Sequence, residues 1–568
     1  MKKHKFILTI LLLFAINSNS QNSDKLSLNS KLSDLSKSWG ILKYHHPGIA
    51  SGTVNWDSCL LFSIKKVLND SSTNIQNEIK NLILIAEKNQ PPTSKNNISK
   101  KISTNDSFFK SNYFLTINDT IKQFLEKTIK GDHAPKNYYM QRKWDLLDFS
   151  FEKNYTDQLP DVEYRLLGLF RFWNIIEFFY PYKNLMDSDW DQLLLKYIPL
   201  FQQCKNREEY FWIVSEFLTK LDDGHALVFD KYRFDYTDKY ELPIHFKWIG
   251  KKMVVADINS RKIKRIYKIN AGDYIVKINN RTVDEEIKRW SRMAPASNEE
   301  RKMNIISIYF YHGTSKRMLL KIAKQNGDTV SIACRLKSQN AFRRNVRDIK
   351  DLIASNRKIR KTTKQLKSAG IGFINGFGNN NKGITKEYRV AKQNKAIIID
   401  MRDYPKADLM FLFNQYLFKE KKIFIKYIIA DSVYAGRFNI QYDSLSRLPN
   451  YGDKNLSYYT GKIVVLVNTK TLSNAEWVVM GLQTQPNVVV IGSQTAGADG
   501  NIVLVPLPGG FKACFSGLGV EYPDGTQTQR IGLKIDVKLQ ETMQGFISGK
   551  DEVLDSAIDF IKNKGYVN

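Results

Sequence analysis

Cysteine is scarce. The chain's four, Cys59, Cys204, Cys334 and Cys514, stand far apart and in no spacing used for metal or redox pairs. A thiolate metal cluster and a paired-cysteine redox site are not expected. Buried free thiols are, although an oxidising compartment would permit one pair that the sequence does not choose. Long hydrophobic runs are also missing. Past residue 16, no stretch approaches the about 20 apolar residues that a membrane-spanning helix needs. Compact arginine clusters are absent too. The formal charge is +29, yet Lys, Asn and Ile are spread throughout and no recognisable nucleic-acid module gathers the basic residues. A nucleic-acid partner is therefore not expected, whereas weak attraction to acidic surfaces is.

What is present describes a folded, multidomain protein. Hydrophobic residues make up 42% and aromatics 12%, which is globular rather than disordered. A chain of 568 residues exceeds one core and predicts three or four domains. Residues 1–20 read as a cleaved secretory signal. Lys2, Lys3 and Lys5 precede the apolar run Phe6–Ile16, too short to span a bilayer, and Asn17–Ser20 form a small polar exit. No cysteine lies near the expected cut, so a lipid-anchored bacterial form is not expected. The mature protein is expected to be soluble and exported, in the periplasm or cell envelope or secreted.

An internal repeat follows. Trp39 to Pro47, then Asn55-Trp56-Asp57, returns as Trp173 to Pro181, then Asp189-Trp190-Asp191. Apolar residues at helical spacing, a Pro stop and an acidic start to the next helix predict a helical pair used twice. His45 and His46 look like ligands, but Phe179 and Tyr180 replace them in the second copy, which favours packing. Residues 88–107, rich in Lys, Asn, Ser and Pro, read as a flexible connector. From about 240 the pattern turns to short strands, Lys251–Ala256 and Tyr274–Ile278, with turns at Asn270–Asp273 and Asn279-Asn280. A Gly-Asp turn, an apolar strand and an Asn-Asn turn resemble the core of a PDZ domain, which captures chain ends by adding a strand. Residues 339–365 read as a charged helical linker.

The last third alternates β-branched runs with helical segments: strands near 370–374, 395–400, 463–467 and 488–491, helices near 409–418 and 474–482. Such runs predict a sheet covered on both faces. The expected division is 1–20 signal, 21–155 first helical region, 156–238 second helical repeat, 239–338 PDZ-like module, 339–365 linker and 366–568 core. Ser473 lies in Asn468–Glu476, between a strand and a helix. That geometry lifts a side-chain oxygen out of the fold beside helix-end N–H groups, so Ser473 is a candidate nucleophile. All seven histidines precede it, so an imidazole base must come from far upstream.

This order of parts, with Asp400-Met401-Arg402, Thr471–Glu476, Ile491–Gly497, Leu507–Gly510 and Tyr522–Gly525, resembles the tail-specific, or C-terminal processing, serine peptidases. That family includes the tricorn core protease. The likeness runs from about Trp173 onward and is strongest over 400–536. It implies a multidomain α+β protein: N-terminal helical segments, a PDZ-like β module and a C-terminal α/β core of the crotonase/Clp-protease type. The implied activity is peptide hydrolysis on a polypeptide substrate, without metal or organic cofactor.

Members that activate serine with lysine carry it where this chain has Ala498, so the likeness favours the histidine type. Leu221-Asp222-Asp223-Gly224-His225 then makes His225 the implied base. Asn474 and the turn at Lys406-Ala407, where relatives carry Gly-Gly, are the implied oxyanion donors. The residue that would orient the imidazole matches Gln529, where relatives have Glu. Glu476, Glu521 and Asp524 are nearby substitutes, with Glu476 read as structural. The rival reading is a catalytically weakened relative that holds peptides or apolar ligands.

Overall fold

The computed structural model describes residues 28–90, 113–131, 133–134, 136–143, 146–155, 158–338, 366, 368–419, 422–444 and 458–563. The signal segment, the 339–365 linker and residues 91–107 of the connector lie outside them. The chain divides into two compact units, one of 1–217, 429–439 and 503–517, the other of 218–428, 440–502 and 518–568.

The first unit is built on the repeat. Helices α1 (28–45) and α2 (Trp56–Asn69) recur as α3 (Val162–Phe179) and α4 (Trp190–Gln202). Asn55 and Asp189 cap α2 and α4, each side chain accepting a backbone N–H of the first turn. Within each copy the two tryptophans exchange indole hydrogen bonds. Trp39 and Trp56 donate to each other's carbonyls at 3.0 Å; Trp173 and Trp190 do so at 2.9 and 3.1 Å. Buried indole N–H groups need acceptors, and this exchange supplies both at once.

Charges cross between the copies. Lys37 of the first pairs with Asp191 of the second, and Arg171 of the second with Asp57 of the first, both at 2.7 Å. Lys37 and Arg171 are equivalent positions, as are Asp57 and Asp191. The two copies are therefore tied by reciprocal ion pairs, as in a pseudo-two-fold dimer. Gly40 makes the crossing possible, since a Cβ there would stand 1.8 Å from Asn174 Oδ1. His45 packs edge-on against His133 and Phe178, and His46 Nδ1 accepts the Gly48 N–H at 3.2 Å. His45 packs as the sequence suggested; the capping by His46 was not foreseen. None of the four cysteines forms a disulfide; Cys204, Cys334 and Cys514 are buried and Cys59 is half-buried.

The second unit holds a small β module and the core. The module's antiparallel sheet contains β1 (Ile244–Ile249), β2 (Lys252–Ile258), β3 (Tyr274–Ile278), β4 (Arg317–Ala323) and β5 (Thr329–Arg335) in the order β5-β4-β3-β2-β1, with Arg281–Thr282 pairing off β3. Helix α5 (Arg261–Tyr267) links β2 to β3, and α6 (Glu299–Tyr309) precedes β4.

The core sheet is parallel. Strands β6 (Ile371–Asn375), β7 (Ala396–Asp400), β8 (Lys462–Val467), β9 (Val488–Gly492) and β10 (Val537–Lys538) lie in chain order. Helix 381–391 joins β6 to β7, α7 (Leu409–Leu417) lies between β7 and β8, and α8 (Asn474–Leu482) between β8 and β9. Ile397, Ile399, Ile463, Val465 and Val467 pack with α7 and α8 on one face. Ile398, Val464, Leu466 and Ile491 pack with helix 552–563 on the other. Alternate residues of each strand thus serve opposite cores, which explains the unbroken apolar runs.

Candidate active site

Turns leaving the carboxyl ends of β7, β8 and β9 are where an α/β sheet places its site. The turn after β8 ends on Ser473, whose backbone sits at φ 54 and ψ −121. This is a sparsely populated conformation for a residue with a side chain, costing about 1–3 kcal/mol, and it persists only where the surroundings enforce it. Here they do. The Ser473 N–H is shared between the Ala498 carbonyl at 3.0 Å and Glu476 Oε2 at 3.2 Å. Thr471 Oγ1 donates to the Met401 carbonyl at the end of β7 (2.8 Å), and the Thr471 carbonyl accepts the Ala496 N–H (3.0 Å).

Glu476 is the keystone of the elbow. It is fully buried and also accepts Thr495 Oγ1 at 2.6 Å, the Gly497 N–H at 2.9 Å and the Ala498 N–H at 3.1 Å. Burial pushes its carboxyl above the ordinary range while these bonds pull it down. Asp499 lies in the same buried region. Burial, then the charge of Glu476, holds its carboxyl well above the usual carboxylate range.

His225 is presented by a tight turn. Asp222 sits at φ 49, the buried Asp223 accepts the His225 N–H through Oδ1 at 2.9 Å, and the Gly224 N–H donates to Ser297 Oγ at 2.7 Å. A Cβ on Gly224 would lie 2.9 Å from the Ala498 Cβ. Gly224 therefore rests against the residue whose carbonyl holds the Ser473 amide, and the histidine turn and the serine elbow share one neighbourhood. Ala498, at the place a lysine mechanism would use, has no room to extend toward Gly224. Burial depresses the His225 pKa most; the Asp223 carboxylate opposes it, and the Arg301 cation adds a smaller depression.

The other expected site residues fall differently. Gln529 is buried, with Nε2 3.4 Å from Ser297 Oγ, so it reaches the histidine turn through Ser297. Glu521 pairs with Lys426 at 2.6 Å, and the exposed Asp524 with Lys534 at 2.7 Å. Both carboxylates are committed to structural pairs. Asn474 begins α8, so its N–H is one of that helix's unclaimed end donors. Lys406 is exposed and Ala407 buried, and neither has positive φ. The Gly-Gly of relatives is therefore not needed here for backbone conformation.

Three residues escaped the sequence reading. Asp223 sat inside the quoted motif, read for its spacing alone. Ser297 and Arg301 come from the β module, next to Asn298, which caps α6 and donates to the Thr495 and Ala496 carbonyls at 3.0 Å. Arg301 feels both Glu476 and Asp403, and its Nε is buried without a hydrogen-bond partner. Among the described residues no group of His, Cys, Asp and Glu could hold a metal ion.

A prediction arises here. A general base must be neutral, so activity falls as pH drops through the pKa of His225. Arg301→Gln removes a cation that depresses this pKa, so the acid limb of kcat/KM should move to higher pH. Asp223→Asn removes the opposing carboxylate and should move it to lower pH, with a reduced plateau. Unmoved limbs in both variants would mean that neither charge faces the imidazole.

The parallel sheet thus carries a strained serine elbow at its carboxyl edge, and the glycine of the histidine turn rests against Ala498 of that elbow. Residues 370–539 match the model of peptidase family S41. The chain thus carries a domain of that family and is a serine-type peptidase acting on polypeptide. Its fold is similar to mature CPAF complexed with lactacystin, at 13% identity and TM-score 0.52, over 71% of this chain and 98% of that one. The photosystem II D1 C-terminal processing protease aligns at 15% identity and TM-score 0.38, covering 66% and 93%. The tricorn protease aligns at 17% and 0.37, covering 71% and 37%. No curated protein matches the chain.

Proposed function

We propose that the protein is an exported serine peptidase that cleaves unfolded or C-terminal segments of polypeptides through an acyl-enzyme. Ser473 is the nucleophile and His225 the general base. The observation that carries this reading is the path from the strained Ser473, through the Ala498 carbonyl, to Gly224 and the histidine turn.

A serine hydroxyl is a weak nucleophile until a positioned base takes its proton. His225, whose pKa burial lowers, takes that proton as Oγ attacks the scissile carbonyl. It then returns the proton to the leaving amine, and water releases the acyl group by the same route. The Asn474 N–H, with a backbone N–H of the 406–407 turn, stabilises the oxyanion. Asp223 is the positioning carboxylate, in place of the acidic residue that Gln529 lacks. The β module acts as a PDZ-type domain that takes the substrate by strand addition, and residues 1–20 direct export.

The second reading, a weakened relative that only holds peptide, draws on Gln529, whose buried Oε1 has no hydrogen-bond partner. Incubating the full chain with reduced, unfolded casein and mapping the products separates the two. Cleavage that disappears in Ser473→Ala is expected. Casein bound but left intact by the wild-type protein would favour the second reading.

A further inference from the structure

Helix α5 contributes no fully buried side chain to the core. None of its seven residues is buried, and Ile266 is 53% exposed. It forms because Ser260 caps it, Oγ accepting the Ile263 N–H at 3.3 Å, and because Lys264 and Arg265 lie in its last turn, where the helix dipole favours cations. Within positions 261–268 stand five cations, Arg261, Lys262, Lys264, Arg265 and Lys268, and no acidic residue.

The arrangement is two-sided. At 100° per residue Ile263, Ile266 and Tyr267 share one arc, and the cations fill the opposite one. Ile263 and Tyr267 are half-buried, while Ile266 stands exposed at the border with the charged face. A basic helical face edged by an exposed aliphatic side chain is the pattern of a surface-lying membrane helix, cations on headgroups and the aliphatic in the acyl boundary. An acidic peptide would be expected in a groove, and nucleic acid would favour aromatic stacking beside the cations. A bare convex helix suits a broad, flat anionic surface better than either.

We infer that α5 is a docking face for anionic phospholipid, holding the peptidase at a membrane surface without a spanning segment. Full-length protein is mixed with vesicles of equal parts phosphatidylglycerol and phosphatidylcholine, or of phosphatidylcholine alone, and the sedimenting fraction is measured. Binding to the mixed vesicles only is expected. It should vanish as salt rises from about 0.1 to about 1 M, where the screening length falls from ~10 to ~3 Å.

The triple variant Arg261→Glu/Lys264→Glu/Arg265→Glu should partition at least roughly a hundredfold more weakly, from the known contribution of each basic residue near an anionic surface. Only three of 86 cations change, so a diffuse charge effect would barely move. Ile266→Ser should weaken binding several-fold and leave the salt slope intact. All four side chains are exposed, so thermal unfolding should match the wild type. Equal binding to both vesicle types, no binding at all, or a triple variant that binds unchanged each overturns the inference. So does wild-type protein that ignores vesicles but binds polyglutamate, which would identify an acidic polypeptide as the partner.

Discussion

Replacing Ser473 with alanine is expected to cut kcat for peptide hydrolysis by on the order of a millionfold, His225→Ala by a similar factor, and the double variant by no more than either alone. Non-additivity is the informative part. A hydroxyl and the imidazole that activates it act as one device, so removing either removes both. Steady-state hydrolysis of a fluorogenic peptide by the three variants makes the comparison. Multiplying losses would mean that the two residues act in separate steps. The backbone adds a stability readout. Glycine takes φ 54 without a Cβ penalty, so Ser473→Gly should be more stable than Ser473→Ala by about 1 kcal/mol, although both are inactive. A less stable glycine variant would mean that the elbow is not strained.

The second large effect belongs to Glu476. Its carboxylate takes the Ser473, Gly497 and Ala498 N–H groups and the Thr495 hydroxyl, all in a buried site. Hydrogen bonds to a charged group contribute about 1.5–3 kcal/mol each, and buried donors left unpaired cost more than the bonds themselves. Glu476→Ala is therefore expected to destabilise the core unit by at least about 3 kcal/mol and to abolish hydrolysis, although Glu476 touches no substrate in the proposed mechanism. Hydrogen exchange reports this directly, with faster exchange expected at the amides of Ser473, Gly497 and Ala498. Unchanged protection and an unchanged unfolding midpoint would show that the elbow does not depend on this residue.

Much of this architecture was legible in the chain because it is periodic. Unbroken Val and Ile runs located four of the five core strands to within a residue, the two-residue β10 being missed, and the returning Trp and Pro positions announced the repeat. The ion pairs that cross the repeat were not legible. Lys37 could as well have paired with its own copy's Asp57, and only the packing of α1 against α3 decides otherwise. At the site, the strand–turn–helix pattern pointed to Ser473, but nothing in its residue type betrays a positive φ. Asp223 was visible and its role was not, since an acidic residue beside a glycine reads first as turn chemistry. Ser297 and Arg301 were out of reach, because a β module more than 70 positions downstream carries them to the histidine turn. Glu476 was read as structural, and its four bonds agree.

The central claim is that the imidazole of His225 activates the hydroxyl of Ser473. Its most direct test is the rate at which a fluorophosphonate labels the full-length protein as a function of pH, with the modified residue located by mass spectrometry. The account predicts a single adduct on Ser473, a rate that rises with pH through an inflection below the ordinary histidine value of about 6.5, and labelling lost in His225→Ala. Labelling of Ser473 that proceeds at the same rate without His225 would contradict it.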